Sequence, residues 1–170
     1  MMRGHIHPTW NLEDIKQLKF VEKKYSLNNS NALSDLFDPE DAKRYNTSVW
    51  QIKDLEGDIR FFSIYKEFNW LKQLKVQVNR LDFGNVIPKH KDVYKFYNEL
   101  TGINNNSEIS RVMVMLDDWQ SGQYIEIADF GFTNWTAGDW IGFKLSDLHM
   151  TANLGHSNRY MMIITGVTNQ

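Results

Sequence analysis

Cysteine is absent from this 170-residue chain. No disulfide framework, thiolate metal site or thiol nucleophile is therefore available. Long apolar runs are missing as well. The first residues, Met1-Met2-Arg3-Gly4-His5-Ile6-His7-Pro8, lack the apolar core of a signal peptide. No stretch reaches the length that crosses a bilayer, so a soluble, intracellular (cytoplasmic) protein with no membrane partner is expected. Strong charge of one sign is the third absence. The net charge is −2, which leaves no global nucleic-acid footprint. Residues 1–80 carry 13 basic and 11 acidic side chains, and residues 81–170 carry 6 and 10. An acidic second half argues against a duplex-DNA substrate, and a local basic groove in the first half stays open. Neither an internal repeat nor a low-complexity tract is found.

Aromatic residues are plentiful, at 14% with six tryptophans. That composition suits a packed, β-rich fold rather than a disordered chain. A length of 170 residues fits one domain with a real core. Its expected division is residues 1–73 as helical and strand support and 74–167 as a jelly-roll catalytic core.

Asn11 is placed to cap a helix with Glu13 and Asp14 in its first turn. Leu12, Ile15, Leu18 and Val21 then predict helix to about Lys24. Asp38-Pro39 reads as a second helix start. Residues 49–52 and 59–65 predict a hairpin, and residues 66–71 a short helix. From Leu74 strand signals dominate. Leu74, Val76 and Val78 alternate with polar residues, residues 93–100 suggest a helix, and 101–107 a loop. Residues 109–116 with 124–130, and 147–152 with 159–167, read as two further hairpins. Short strands at regular spacing predict a two-sheet jelly roll, with the early helices on one sheet's outer face.

The most informative residues are His90 and Asp92, with His149 following 59 positions after His90 and Arg159 ten after that. Residues two apart on a strand point to one side, so His90 and Asp92 can converge while Lys91 faces away. Two imidazoles and one carboxylate on one face of an ion leave its opposite positions open, the arrangement of non-haem Fe(II) oxygenases. An isolated His-x-Asp carries little weight, because chance produces one in about a third of such sequences. Its surroundings add weight. Gln77 to Asp92 forms a strand–glycine–strand lead into the pair. Arg111 to Ile127 forms a strand that turns through Gly122 into another. Gly138-Asp139, Phe143, His149, Asn153, Gly155 and Arg159 follow in order.

From about Leu74 to Val167 the chain resembles the Fe(II)/2-oxoglutarate-dependent dioxygenases, in particular the prolyl-hydroxylase-like and aspartyl/asparaginyl-hydroxylase-like branches. Small stand-alone members of this kind are common in bacteriophage genomes. The resemblance implies a mainly β chain with flanking α-helices, folded as a double-stranded β-helix. It implies that His90, Asp92 and His149 hold Fe(II) and that Arg159 grips the far carboxylate of 2-oxoglutarate. O2 is then the oxidant, and an unactivated C–H bond is hydroxylated with release of succinate and CO2. The substrate expected first is a protein or peptide side chain, then a small molecule, then a nucleobase.

Arg111 resembles an arginine near the co-substrate in some members, and a structural ion pair is an equal reading of it. Met161 stands where some members have serine, and Leu81 where prolyl-type members often have tyrosine. No second co-substrate contact is identified. His156, in a Gly/Ser/Asn turn, is a weaker candidate than His149, and His5 with His7 reads as a flexible terminus. Trp119, Trp135 and Trp140 could shape a substrate pocket, with Trp140 favoured as packing. Met113, Met115, Met161 and Met162 read as core fillers. Two other classes remain open, a non-catalytic jelly-roll binding module and a cupin-like metalloenzyme that does not use 2-oxoglutarate.

Overall fold

Alternating apolar and polar residues become strands throughout the second half of the chain in the computed structural model, which describes residues 1–24, 49–55, 62–92, 102 and 108–168. The strands are β1 (Met2–His5), β2 (Val21–Lys24), β3 (Val49–Asp54), β4 (Leu71–Leu81), β5 (Asn85–His90), β6 (Ile109–Met115), β7 (Gln123–Ile127), β8 (Phe130–Phe132), β9 (Asp139–Lys144), β10 (His149–Asn153) and β11 (Arg159–Thr168). Two short helices are described, α1 (Leu12–Lys16) and α2 (Phe62–Tyr65), the latter continuing into a 3-10 turn over Lys66–Phe68.

One sheet runs β1-β9-β6-β11-β4-β3-β2, and the other runs β5-β10-β7-β8. Counted from β4, the eight strands of the core fall in the order sixth, third, eighth, first in the larger sheet and second, seventh, fourth, fifth in the smaller. This crossing pattern is the double-stranded β-helix, and the mainly β fold is as the sequence predicts.

The pairing corrects two predicted hairpins. Strands β6 and β7 exist at the expected places but lie in different sheets, as do β10 and β11. Hairpins between neighbours in sequence are the common solution, yet here each strand gains more by crossing over. Strands β6 and β11 sit inside the larger sheet with apolar cover on both faces, so all seven residues of β6 are buried. Val112, Val114, Met162 and Ile164 pack outward under the N-terminal residues, where Ile15, Leu55, Ile64 and Phe68 complete a cluster. Met113, Met115, Met161 and Ile163 pack inward against Ile125, Ile127, Trp135, Ile141 and Phe143. Each such burial contributes roughly 1.5–3 kcal/mol, so the barrel interior and the outer layer are both substantial cores.

Three local expectations change. Asn11 does cap α1, its side chain accepting from the Glu13 amide at 3.0 Å, but the helix ends at Lys16. Val21 is 59% exposed and belongs to β2; it continues no apolar stripe, and pairing with β3 satisfies its backbone instead. Residues 62–65 are helical rather than the second strand of a hairpin, which carries Ile64 into the outer cluster while β3 pairs with β2 and β4. The segment holding His5 is a strand hydrogen-bonded to β9, not a loose terminus. Residues 93–100 and the Asp38-Pro39 helix lie outside the described residues, as does the 101–107 loop apart from Gly102.

Gly138 shows why this docking needs its sequence. Its φ is +96°, and a Cβ there would stand 2.1 Å from the Ile6 carbonyl oxygen. The amide of Ile6 donates to that glycine's carbonyl at 2.9 Å, so the two backbones meet where no side chain fits.

Candidate metal centre

Register brings the two histidines together. His90 ends β5, His149 opens β10, and the two are direct partners across the antiparallel pair. Residues directly opposite have Cβ atoms about 4.5–5.5 Å apart, and the ring centroids here are 4.3 Å apart. Asp92 lies just past the end of β5, and Lys91 between them is exposed. Asp92 Oδ1 is 3.7 Å from His90 Nε2, and Asp92 Oδ2 is 3.4 Å from His149 Nε2. The three ligand atoms lie within 4.8 Å of one another, so this group could hold a metal ion.

Each ring is oriented by a carbonyl two residues earlier. His90 Nδ1 donates to Pro88 O at 2.7 Å, and His149 Nδ1 donates to Asp147 O at 2.9 Å. These bonds place a hydrogen on Nδ1 and turn both Nε2 atoms toward Asp92, the outer support a metal-bound imidazole requires. Phe143 covers the other side of His149, with ring centroids 5.0 Å apart.

Burial lowers the His149 pKa to about 4, with the Asp92 charge opposing that fall. Its imidazole is therefore neutral at pH 7, as a ligand must be. For Asp92, burial pushes the carboxyl up, but Arg111 and the two histidines outweigh it and hold the group below the usual carboxylate range. Asp92 Oδ2 is buried and accepts no well-aligned hydrogen bond, although Arg111 Nη1 stands 2.5 Å away. The short distance marks an ion pair approached off the lone-pair direction. A nitrogen–oxygen donor set with an under-used carboxylate oxygen fits a divalent ion of the Fe(II) type.

The two arginines differ in role. Arg111, on β6, pairs with Asp92 rather than pointing to an open co-substrate space. Arg159, at the start of β11, is 2% exposed and sends its guanidinium across to the smaller sheet. Its Nη1 donates to Tyr124 O at 3.2 Å and Ala152 O at 3.0 Å, and its Nη2 donates to Thr151 Oγ1. Its Nε is buried with no partner, and no carboxylate faces it among the described residues. Burial alone lowers its pKa to about 9, so the group stays charged at pH 7.

Thr151 was not legible as a site residue. It sits two positions along β10 from His149, about 7 Å at strand rise, and it receives Arg159. Its position two residues after a ligating histidine on a strand, hence on the same face, was the available signal. His156 lies in the turn after β10 and outside the metal-binding group. His5 instead pairs with Asp139 at 2.8 Å. Trp135 and Trp140 line a pocket of about 470 Å³ between β1, β9 and residues 132–135, none of whose lining residues belongs to the triad. Trp119 packs against the barrel interior, and Trp140 also packs on the outer cluster. All four methionines named above are buried. Asn153 is fully buried and ties the turn, donating to Leu81 O and Ser157 O, both at 2.8 Å.

No protein-family model matches the chain, and no curated protein matches it in sequence. Solved structures do. A candidate sugar phosphate isomerase of Acidithiobacillus ferrooxidans is 13% identical over 95% of this chain and 76% of that one, with a TM-score of 0.52. A cupin domain of an XRE-family transcriptional regulator from Enterobacter cloacae is 10% identical over 71% of this chain and 98% of that one, TM-score 0.45. An RmlC-like cupin with a double-stranded β-helix fold from Methanocaldococcus jannaschii is 10% identical over 56% and 71%, TM-score 0.39. At these identities the likeness is one of fold, the cupin-type jelly roll.

Proposed function

We propose that this chain is an Fe(II)/2-oxoglutarate-dependent oxygenase that hydroxylates an unactivated C–H bond, with a protein or peptide side chain as the first substrate class to test. The observation that carries the reading is the pairing of two features along β10. A two-histidine, one-carboxylate group stands at His149, and a buried arginine with no acidic partner is anchored at Thr151, about 7 Å further on at strand rise. A dicarboxylic keto acid has one end for a metal and another for a guanidinium.

When bound, iron with 2-oxoglutarate and O2 supplies the oxidising chemistry, which belongs to the cofactor. The residues supply placement. His90, Asp92 and His149 would hold the ion on one face. Arg159 would receive the far carboxylate through Nε, which has no protein partner. Phe143, Ile125, Ile127 and Met113 keep the adjoining barrel interior dry.

One observation favours a second reading, a cupin-like metalloenzyme without a keto acid. Arg159 already serves three acceptors on β7 and β10, which by itself could justify a structural arginine.

Anaerobic titration of the metal-free protein with Fe(II) and then 2-oxoglutarate separates them. The oxygenase reading expects a saturable visible charge-transfer band that His90→Ala abolishes. Metal binding without the band selects the second reading, and a folded protein that binds no metal leaves a jelly-roll binding module.

A further inference from the structure

Asp92 is the weakest-placed ligand of the triad by backbone alone. His90 and His149 are locked by direct strand pairing, whereas Asp92 follows the last residue of β5. Its side chain nevertheless has a fixed partner on the opposite sheet. Arg111 lies in β6, paired with Phe143 on one side and Thr165 on the other. From this interior strand its Nη1 meets Asp92 Oδ2 at 2.5 Å, with side-chain exposures of only 9% and 14%.

We propose that Arg111 is a positioning residue that holds Asp92 in a one-oxygen mode toward the metal. The inference rests on the metal-binding reading of the triad but not on the identity of the co-substrate. A carboxylate can give a metal one oxygen or both. With both, two histidines and Asp92 would fill four of six octahedral positions. With one, three positions stay open, enough for a bidentate co-substrate and one further ligand. The guanidinium biases the choice because Oδ2 is already in its charge-assisted contact. It also brings a positive charge toward a cation, which by itself weakens metal binding. A residue of that sign beside a ligand is useful only for what it does to the ligand's geometry.

The test uses the full chain with Mn(II), so it does not depend on turnover. A crystal structure of the Mn(II)-loaded protein should show one Asp92 oxygen on the metal and the other on Arg111. Arg111→Met should weaken Mn(II) binding roughly 10–100-fold, the usual cost of removing an outer partner of a ligand. Arg111→Lys, which keeps one donor, should recover most of that loss. Both Asp92 oxygens on the metal with Arg111 withdrawn would overturn the proposal. So would Mn(II) affinity unchanged in Arg111→Met. If Arg111→Met does not fold, the wild-type structure and the lysine variant still decide. If wild-type protein binds no Mn(II), the triad reading itself fails, a different result from a changed carboxylate mode.

Discussion

At the scale of single residues, the charged and titratable groups of the site trade stability for chemistry. His149 is held neutral by burial, with a pKa near 4 against an ordinary 6.5. The unfolded chain therefore takes up that proton first as pH falls. Stability of the metal-free protein should decline from about pH 6.5 to about pH 4, by at most about 3 kcal/mol from this group. Asp92 acts in a lower window. Its carboxyl is held below the ordinary value, so its contribution is present above the unfolded pKa and is lost only as pH falls through the folded one. Urea unfolding of metal-free protein at several pH values checks the sign. His149→Gln should flatten the slope between pH 6.5 and 4, and an unchanged slope would place the acid sensitivity elsewhere. Arg159 offers a second residue-scale prediction. Arg159→Gln should leave Fe(II) binding within a few-fold and weaken 2-oxoglutarate at least tenfold. It should also cost roughly 1–3 kcal/mol of stability through the orphaned acceptors on β7 and β10. Unchanged keto-acid affinity would remove Arg159 from the co-substrate site.

Elements decide how those residues meet. A strand pair, not a loop, sets the distance between His90 and His149, and the third ligand is steadied from the opposite sheet. The N-terminal strand β1 adds an edge to the larger sheet at β9, far along the order from the triad-bearing β5 and β10. Its attachment depends on Gly138. Gly138→Ala should strain a +96° backbone and collide with Ile6, costing roughly 1–3 kcal/mol. Hydrogen exchange at residues 2–5 should quicken while metal affinity stays at the wild-type value. Protected β1 amides in that variant would contradict the docking role. The Gly138-Asp139 pair therefore has a structural explanation here: the glycine admits the first strand, and Asp139 accepts from the Thr136 amide at 2.8 Å and binds His5.

For the molecule as a whole, the larger sheet lies between an outer cluster and the barrel interior, and the candidate metal centre connects the two sheets. His90 and His149 belong to the smaller sheet, and Arg111 reaches Asp92 from the larger. An ion bound there stabilises the folded state by mass action, about 2.7 kcal/mol at a metal concentration one hundred times Kd. Thermal unfolding should show a higher midpoint with Mn(II), reversed by a chelator, and no metal effect in His90→Ala. A metal-induced rise that persists in His90→Ala would mean that the ion binds elsewhere. Among the described residues, no helix is long and apolar enough to cross a membrane.

The sequence by itself determined the strand positions from Leu74 onward, the absence of thiol chemistry, the Asn11 cap and the identity of the His-Asp-His group. These follow from local rules: the two-residue period of a strand, side-chain capping of a helix start, and ligand chemistry. Only the tertiary structure decided that β6 and β7 part to different sheets, that Val21 leaves the helix, and that Arg111 faces Asp92. Each of those is a choice between locally acceptable alternatives, settled by burial of both faces of the larger sheet and by compensation of a buried charge. Both are contacts between residues distant in sequence, and no local pattern records them.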